Sequence, residues 1–280
     1  MMNNDRKRVP IKTCYGKFDI AFNIDEAKES NILVSGSNHT GKSRLSAGIC
    51  SILQTFNWKV VAVDNTGIWK EISDIPTFYR LEKERNYDEE SKRWHYPFPK
   101  TSMLYDTSLL VPSLQKSFVN QLSEQLWNYQ VYTKSSIWTL LALEESQLFM
   151  RTVRGSVSES ILRAMSAGRN QRIRVLAVNV DLALLDPSFI RLCSQRFYAR
   201  LNIEENSKRK FRNYHGLDWT RVATELDLGF FIYMLREKLK IVHVPCFETK
   251  RIPQPYHIPM PTPQLRKPKG LWEKFIEWIK

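Results

Sequence analysis

Gly36, Gly41, Lys42 and Ser43 follow the spacing G-x-x-x-x-G-K-[ST], directly after the apolar run ILVS. Glycines at the two fixed positions let a backbone curl so that successive N–H groups converge on a phosphate, while a helix starting near Lys42 turns its positive end to the same anion. This is the P-loop pattern. It makes Gly36, Ser37, Asn38, His39, Thr40, Gly41, Lys42, Ser43 and Arg44 the candidate nucleotide contacts, with Lys42 reaching the β- and γ-phosphates of ATP and Ser43 ligating Mg2+. His39 fills a variable position of the loop and gains no catalytic role from it.

Hydrolysis needs more than a phosphate cradle, and a second pair of residues has the required form. Glu144 and Glu145 close the apolar run LLAL, the Walker B arrangement of four apolar residues and two acids. The first acid of such a pair holds the magnesium shell and the second polarises the attacking water. Glu144 is thus a metal candidate and Glu145 the candidate base. Asp is usual at the first position; the extra methylene of Glu144 is accommodated through a bridging water.

The elements that must position these residues alternate in period between 2 and 3.6. A short strand-like opening (Lys17 to Phe22) precedes a strand at Asn31–Ser35, a helix from Lys42 to about Phe56 and a strand ending at Asp64. Residues 66–100, punctuated by Pro76, Pro97 and Pro99, read as a surface excursion with one short helix. A strand ends at Asp106, and Pro112 opens a helix reaching about Tyr129. A buried-type strand covers Ile137 to Leu143, Ser156 to Ala167 is helical and stops at Gly168, and IRVLAVNV is another strand. The series predicts an α/β fold with a mainly parallel sheet, helices on both faces and ligands at the carboxyl ends of the strands.

The formal net charge of +13 favours a polyanionic partner. Residues 151–212 hold thirteen basic side chains against five acidic ones. Within them the stretch Glu204 to Gly216 reads as a polar, basic loop, and its Lys208, Arg209, Lys210 and Arg212 are the candidate DNA contacts. Cys14, Cys50, Cys193 and Cys246 form no C-x-x-C pair, which suggests a reducing, intracellular setting. No segment approaches 18 uninterrupted apolar residues and no signal peptide is evident, so a cytoplasmic protein is expected. The expected organisation is a lead-in over 1–30, a core over 31–250, a proline-rich linker over 251–269 and an amphipathic helix over 270–280. That helix would pack on its own body or a neighbouring subunit, or dock to a capsid, membrane-surface or other protein partner.

The succession of the P-loop, VVAVDNTG, SMLYDTSLLVPSLQKSFVNQLSEQLW, LLALEESQ and SAGRNQRIRVLAVNVDLALLDPSF resembles the HerA/FtsK superfamily of DNA-translocating ATPases, over roughly Ile32 to Phe247. The resemblance implies a RecA-like core with catalytic strands inserted between the P-loop and Walker B strands, working as a ring, usually a hexamer, on double-stranded DNA with Mg-ATP. It also implies that Arg169, in the Gly168-Arg169 pair, enters a neighbouring subunit's site. Where many members carry a Gln as γ-phosphate sensor this chain has Asn179, which would substitute for it. A chain with neither a large domain before the P-loop nor a membrane anchor most resembles the packaging ATPases of archaeal and membrane-containing viruses; plasmid transfer and DNA repair are the alternatives within the superfamily.

Other readings compete. Asp64-Asn65-Thr66-Gly67 fits a GTPase D-x-x-G switch, but no N-K-x-D guanine-reading motif follows. A small-molecule phosphotransferase would not need the basic stretch, and a non-catalytic nucleic-acid adaptor would not need Glu145.

Overall fold

The computed structural model describes residues 8–13, 16–151, 158–201 and 204–244. The chain divides into units of residues 1–250 and 251–280. The expected proline linker and closing helix lie outside the described residues.

A hairpin of β1 (Arg8–Thr13) and β2 (Gly16–Asn23) is followed by α1 (Ile24–Glu29), β3 (Asn31–Ser35), α2 (Lys42–Thr55) and β4 (Lys59–Asp64). Then come α3 (Trp69–Ile72), β5 (Thr77–Arg80), α4 (Lys83–Asn86), the small hairpin β6 (Tyr87–Asp88) and β7 (Arg93–Trp94), β8 (Met103–Asp106) and α5 (Pro112–Thr133). The second half holds β9 (Thr139–Leu143), α6 (Glu159–Ala167), β10 (Ile173–Asn179), α7 (Pro187–Arg191), β11 (Cys193–Tyr198), α8 (Glu205–Glu225), β12 (Phe230–Leu235) and β13 (Lys238–His243).

Nine strands form one sheet in the order β13-β12-β11-β3-β10-β9-β4-β8-β5. The seven strands from β11 to β5 are mutually parallel, and β12 and β13 add an antiparallel edge. Every residue of β3, β4, β9 and β10 is buried, which is why these strands read as continuous apolar runs: a parallel sheet is covered on both faces. Alternate residues such as Val34, Ala62, Ala142 and Val178 form one cluster with Leu45, Ile49 and Leu53 of α2. Truncating one of those fully buried leucines to alanine would cost about 2–5 kcal/mol. A single strand, β10, separates the P-loop strand β3 from the Walker B strand β9. Its pairing sets Asn179 beside Ser35 and Ala177 beside Leu143, so β3 and β10 finish level and β9 ends two residues short of them, just before Glu144 and Glu145.

Several expectations are corrected. The 66–100 excursion contributes β5 to the edge of the main sheet and has two short helices rather than one. The strand before Walker B begins at Thr139, not Ile137, and the helix from Pro112 runs on to Thr133. The segment 204–216 is not a loop: it forms most of α8, which is interrupted at Gly216 (φ 84°, ψ 174°). Its anchoring explains the difference. Ser207 Oγ donates to Asp181 Oδ1, and the Phe211 ring packs edge-on against Tyr198 at 4.9 Å, so two contacts hold a segment that lacks an apolar stripe. Gly168 does end α6, but in a right-handed conformation (φ −62°); a Cβ there would lie 2.0 Å from Ala164 O.

Candidate nucleotide site

The loop between β3 and α2 shows why its two fixed positions are glycine. A Cβ on Gly36 would stand 2.7 Å from Ala199 Cβ at the end of β11, and Gly41 holds φ 91° as the N-cap of α2. The loop is tied to its neighbours by Gly36 N–H donating to Asn179 O (3.3 Å) and Ser37 N–H donating to Arg200 O (2.8 Å). Lys42 Nζ donates to Ser37 O at 2.7 Å, and Thr40 Oγ1 donates to the same carbonyl. Burial lowers the Lys42 pKa, while the Glu144 and Glu145 carboxylates work against that shift.

Glu144 lies 101 residues from Ser43, and the sheet order brings them together: Ser43 Oγ donates to Glu144 Oε1 at 2.8 Å. The carboxylate is only 5% exposed, and burial raises its pKa to about 7 against the opposing hydrogen bonds from Ser43 and Trp69. Trp69 Nε1 donates to Glu144 Oε2 at 3.0 Å. Trp69 is itself placed by Asp64, whose carboxylate accepts from Trp69 N–H (2.8 Å), Thr66 N–H and Thr66 Oγ1. The D-x-x-G aspartate is therefore engaged in shaping its own turn. Asn65 Nδ2 adds a bond to Glu144 O at 2.8 Å. No sequence motif singles out Trp69; the signal that could have done so is its position five residues after Asp64.

Glu145 is partly exposed and holds φ 46°, ψ 46°, a left-handed conformation that costs an L-residue energy and clusters at functional positions. Asn179 ends β10 level with Ser35. Its Nδ2 donates to Asp181 O at 2.7 Å, and its buried Oδ1 has no partner, so in this rotamer it presents an acceptor rather than a sensor's donor.

Arg169 is elsewhere. It precedes the amino-terminal end of β10, which at seven residues spans roughly 23 Å, and so stands at the opposite edge of the sheet from its own P-loop. Its exposed guanidinium pairs with Glu29 at 2.8 Å. Of the four basic candidates, Lys208, Arg209 and Arg212 share one side of α8, within about 100° of arc. Lys210 is on the other side and donates to Ala183 O and Leu185 O, so the expectation that it faces DNA is corrected.

Fold and site geometry define a RecA-like P-loop NTPase core. In solved structures the likeness is to proteins of the HerA/FtsK type, as the sequence motifs suggested. The genome-packaging NTPase B204 of Sulfolobus turreted icosahedral virus 2, determined with AMPPCP, matches with TM-score 0.57 and 15% identity over 77% of this chain and 97% of its own. The plasmid coupling protein TrwB, in complex with the GTP analogue GDPNP, matches with TM-score 0.63 and 10% identity over 89% and 91%. The pCW3 conjugation coupling protein TcpA, with ATPγS, matches with TM-score 0.52 and 12% identity over 87% and 67%. At these identities the likeness is one of fold. No protein-family model and no curated protein matches the sequence.

Proposed function

We propose that this chain is an ATP-driven DNA translocase of the genome-packaging type, hydrolysing Mg-ATP in a hexameric ring around duplex DNA. The observation that carries the reading is the 2.8 Å pairing of the P-loop Ser43 with the Walker B Glu144, beside a Glu145 held in a left-handed conformation.

The residues suit the group they would hold. Ser43 Oγ and the Glu144 carboxylate are hard oxygen donors, and among the described residues no cluster of three or more His, Cys, Asp or Glu competes for a metal. Mg2+ takes one or two protein ligands of this kind, the rest of its shell coming from phosphates and water, and when bound it neutralises charge on the β- and γ-phosphates. Lys42, now on Ser37 O, would exchange that carbonyl for phosphate oxygens. Glu145 would take the proton of the attacking water. Arg169, at the opposite end of β10 from its own loop, acts in this scheme only on a neighbour's γ-phosphate, leaving Glu29 to do so. Lys208, Arg209 and Arg212 contact backbone phosphates, as a motor that crosses any sequence requires. A second reading, translocation during plasmid transfer, is favoured by the higher TM-score to TrwB.

ATPase assays with and without duplex DNA test the proposal on three proteins. The parent is expected to be stimulated by DNA. Lys42→Ala should lose nucleotide binding, whereas Glu145→Gln should keep ATP bound and lose about 10²- to 10⁴-fold in turnover. Parental turnover in Glu145→Gln would overturn the Walker B assignment, and an ATPase indifferent to DNA would overturn the motor.

A further inference from the structure

Two left-handed turns meet at the sheet edge opposite the nucleotide site. Lys134 (φ 49°) follows α5, and Arg172 (φ 54°) precedes β10; neither is glycine, so both pay a conformational cost. Between them is a cleft of about 170 Å³ lined by Gln130, Lys134, Ser135, Asn170, Gln171 and Arg172. The lining contains two cations, three amides and a hydroxyl, and no acid. Arg172 Nη1 donates to Ser135 O at 3.2 Å, bridging the two turns and leaving the other guanidinium N–H groups for a ligand. The floor is Gln130, 2% exposed: its Nε2 is spent on Ile137 O and Thr139 Oγ1, and its Oε1 is buried without a partner. A rim of two cations, two amides and a hydroxyl, with no acid, suits an oxyanion, and Gln130 braces the turn behind it. The surrounding chain has the same sign, since residues 160–174 carry four arginines and no acid.

We infer that this cleft is a second phosphate site, taking a backbone phosphate of the DNA at the edge of the sheet opposite the P-loop. The inference rests on the DNA-translocase reading and adds to it a contact that α8 does not supply. A lysine supplies a point charge and an arginine a planar fork, a pairing that grips a phosphodiester without reading bases. The open cleft also fits a chain that must enter and leave with each step.

Asparagine tolerates left-handed backbone, so Lys134→Asn with Arg172→Asn removes both charges while keeping the turns. Duplex binding measured across a salt series should show the slope of log affinity against log salt reduced by about 2, at about 0.9 per contact, with ATP affinity unchanged. Asn170→Asp, an exposed change that sets a negative charge on the rim, should weaken duplex binding in the same direction even if the double variant folds poorly. A parental slope in both variants, while variants on α8 lower theirs, would remove this site and leave the motor standing. If the parent binds no duplex at low salt, the motor reading fails and this assignment with it. Inorganic phosphate is then titrated against the parent and the variants by NMR; saturation in the parent alone would make the cleft a free-phosphate site and overturn the DNA assignment.

Discussion

The indole of Trp69 and the carboxylate of Glu144, 75 residues apart in the chain, meet at 3.0 Å, so the acid proposed to face the metal is held from both sides, by Ser43 on one oxygen and Trp69 on the other. Groups that orient a ligating side chain without touching the metal commonly matter 10- to 100-fold. Trp69→Phe deletes the indole N–H and keeps a buried, though smaller, aromatic ring. We expect Mg2+-dependent ATP turnover to fall by about that factor while nucleotide binding without Mg2+ stays parental. Equal turnover in Trp69→Phe and parent, with fold intact by circular dichroism, would remove Trp69 from the mechanism.

Lys208, Arg209 and Arg212 project from one side of α8, and Lys210 does not. Replacing the three with alanine should lower the salt slope of duplex binding by about 3, uniformly across sequences. Lys210→Ala should leave the slope parental and instead destabilise the packing of α8 on the carbonyls of Ala183 and Leu185. A larger slope change from Lys210 than from the other three would reverse this assignment.

Arg169 at the far edge from its own P-loop predicts complementation. Arg169→Ala and Glu145→Gln subunits, each inactive alone, should recover part of the ATPase when mixed, because an Arg169→Ala site can borrow the arginine of a Glu145→Gln neighbour. Such arginines are worth about 10³ to 10⁵ in rate where measured. No recovery in rings shown to contain both subunits would exclude action in trans.

His215 lies between the rings of Phe211 (4.6 Å) and Tyr198 (5.0 Å), and burial with the nearby Arg196 charge holds its pKa down to about 4, from 6.5. The folded protein therefore keeps this imidazole neutral where the unfolded chain protonates it. Stability from this source is complete above pH 6.5 and is lost progressively as pH falls toward 4. Chemical denaturation between pH 7 and 4 should show a shallower loss for His215→Phe than for the parent; parallel curves would contradict the shift.

Contiguous signals were the legible ones. Gly36 to Ser43 carries its chemistry within eight residues, and LLALEE announces both a covered strand and its acids, so β3, α2 and β9 could be read with their roles. The link from Asp64 through Trp69 to Glu144 could not, because no spacing rule connects residues 75 apart that become neighbours only when β4 and β9 pair. β5 escaped notice as four residues of alternating burial at a sheet edge. α8 looked like a loop because its charged sequence is held by Ser207 and Phe211 rather than by an apolar face. The separation of Arg169 from its own loop followed only once β10 was seen to pair parallel to β3, which sets the start of one strand at the opposite end from the loop that follows the other.

The hydrogen bond from Ser37 N–H to Arg200 O has a mechanical meaning. Ser37 belongs to the loop that would feel each phosphate arrive and depart, and Arg200 is five residues before α8 begins. Ala199 at the same joint leaves no room for a side chain on residue 36, so the loop and the strand end lie close there. A loop that changes shape cannot do so without tugging the strand end from which α8 departs. In the proposed motor, fuel and grip would share one short lever, with no relay through the hydrophobic core needed to connect them.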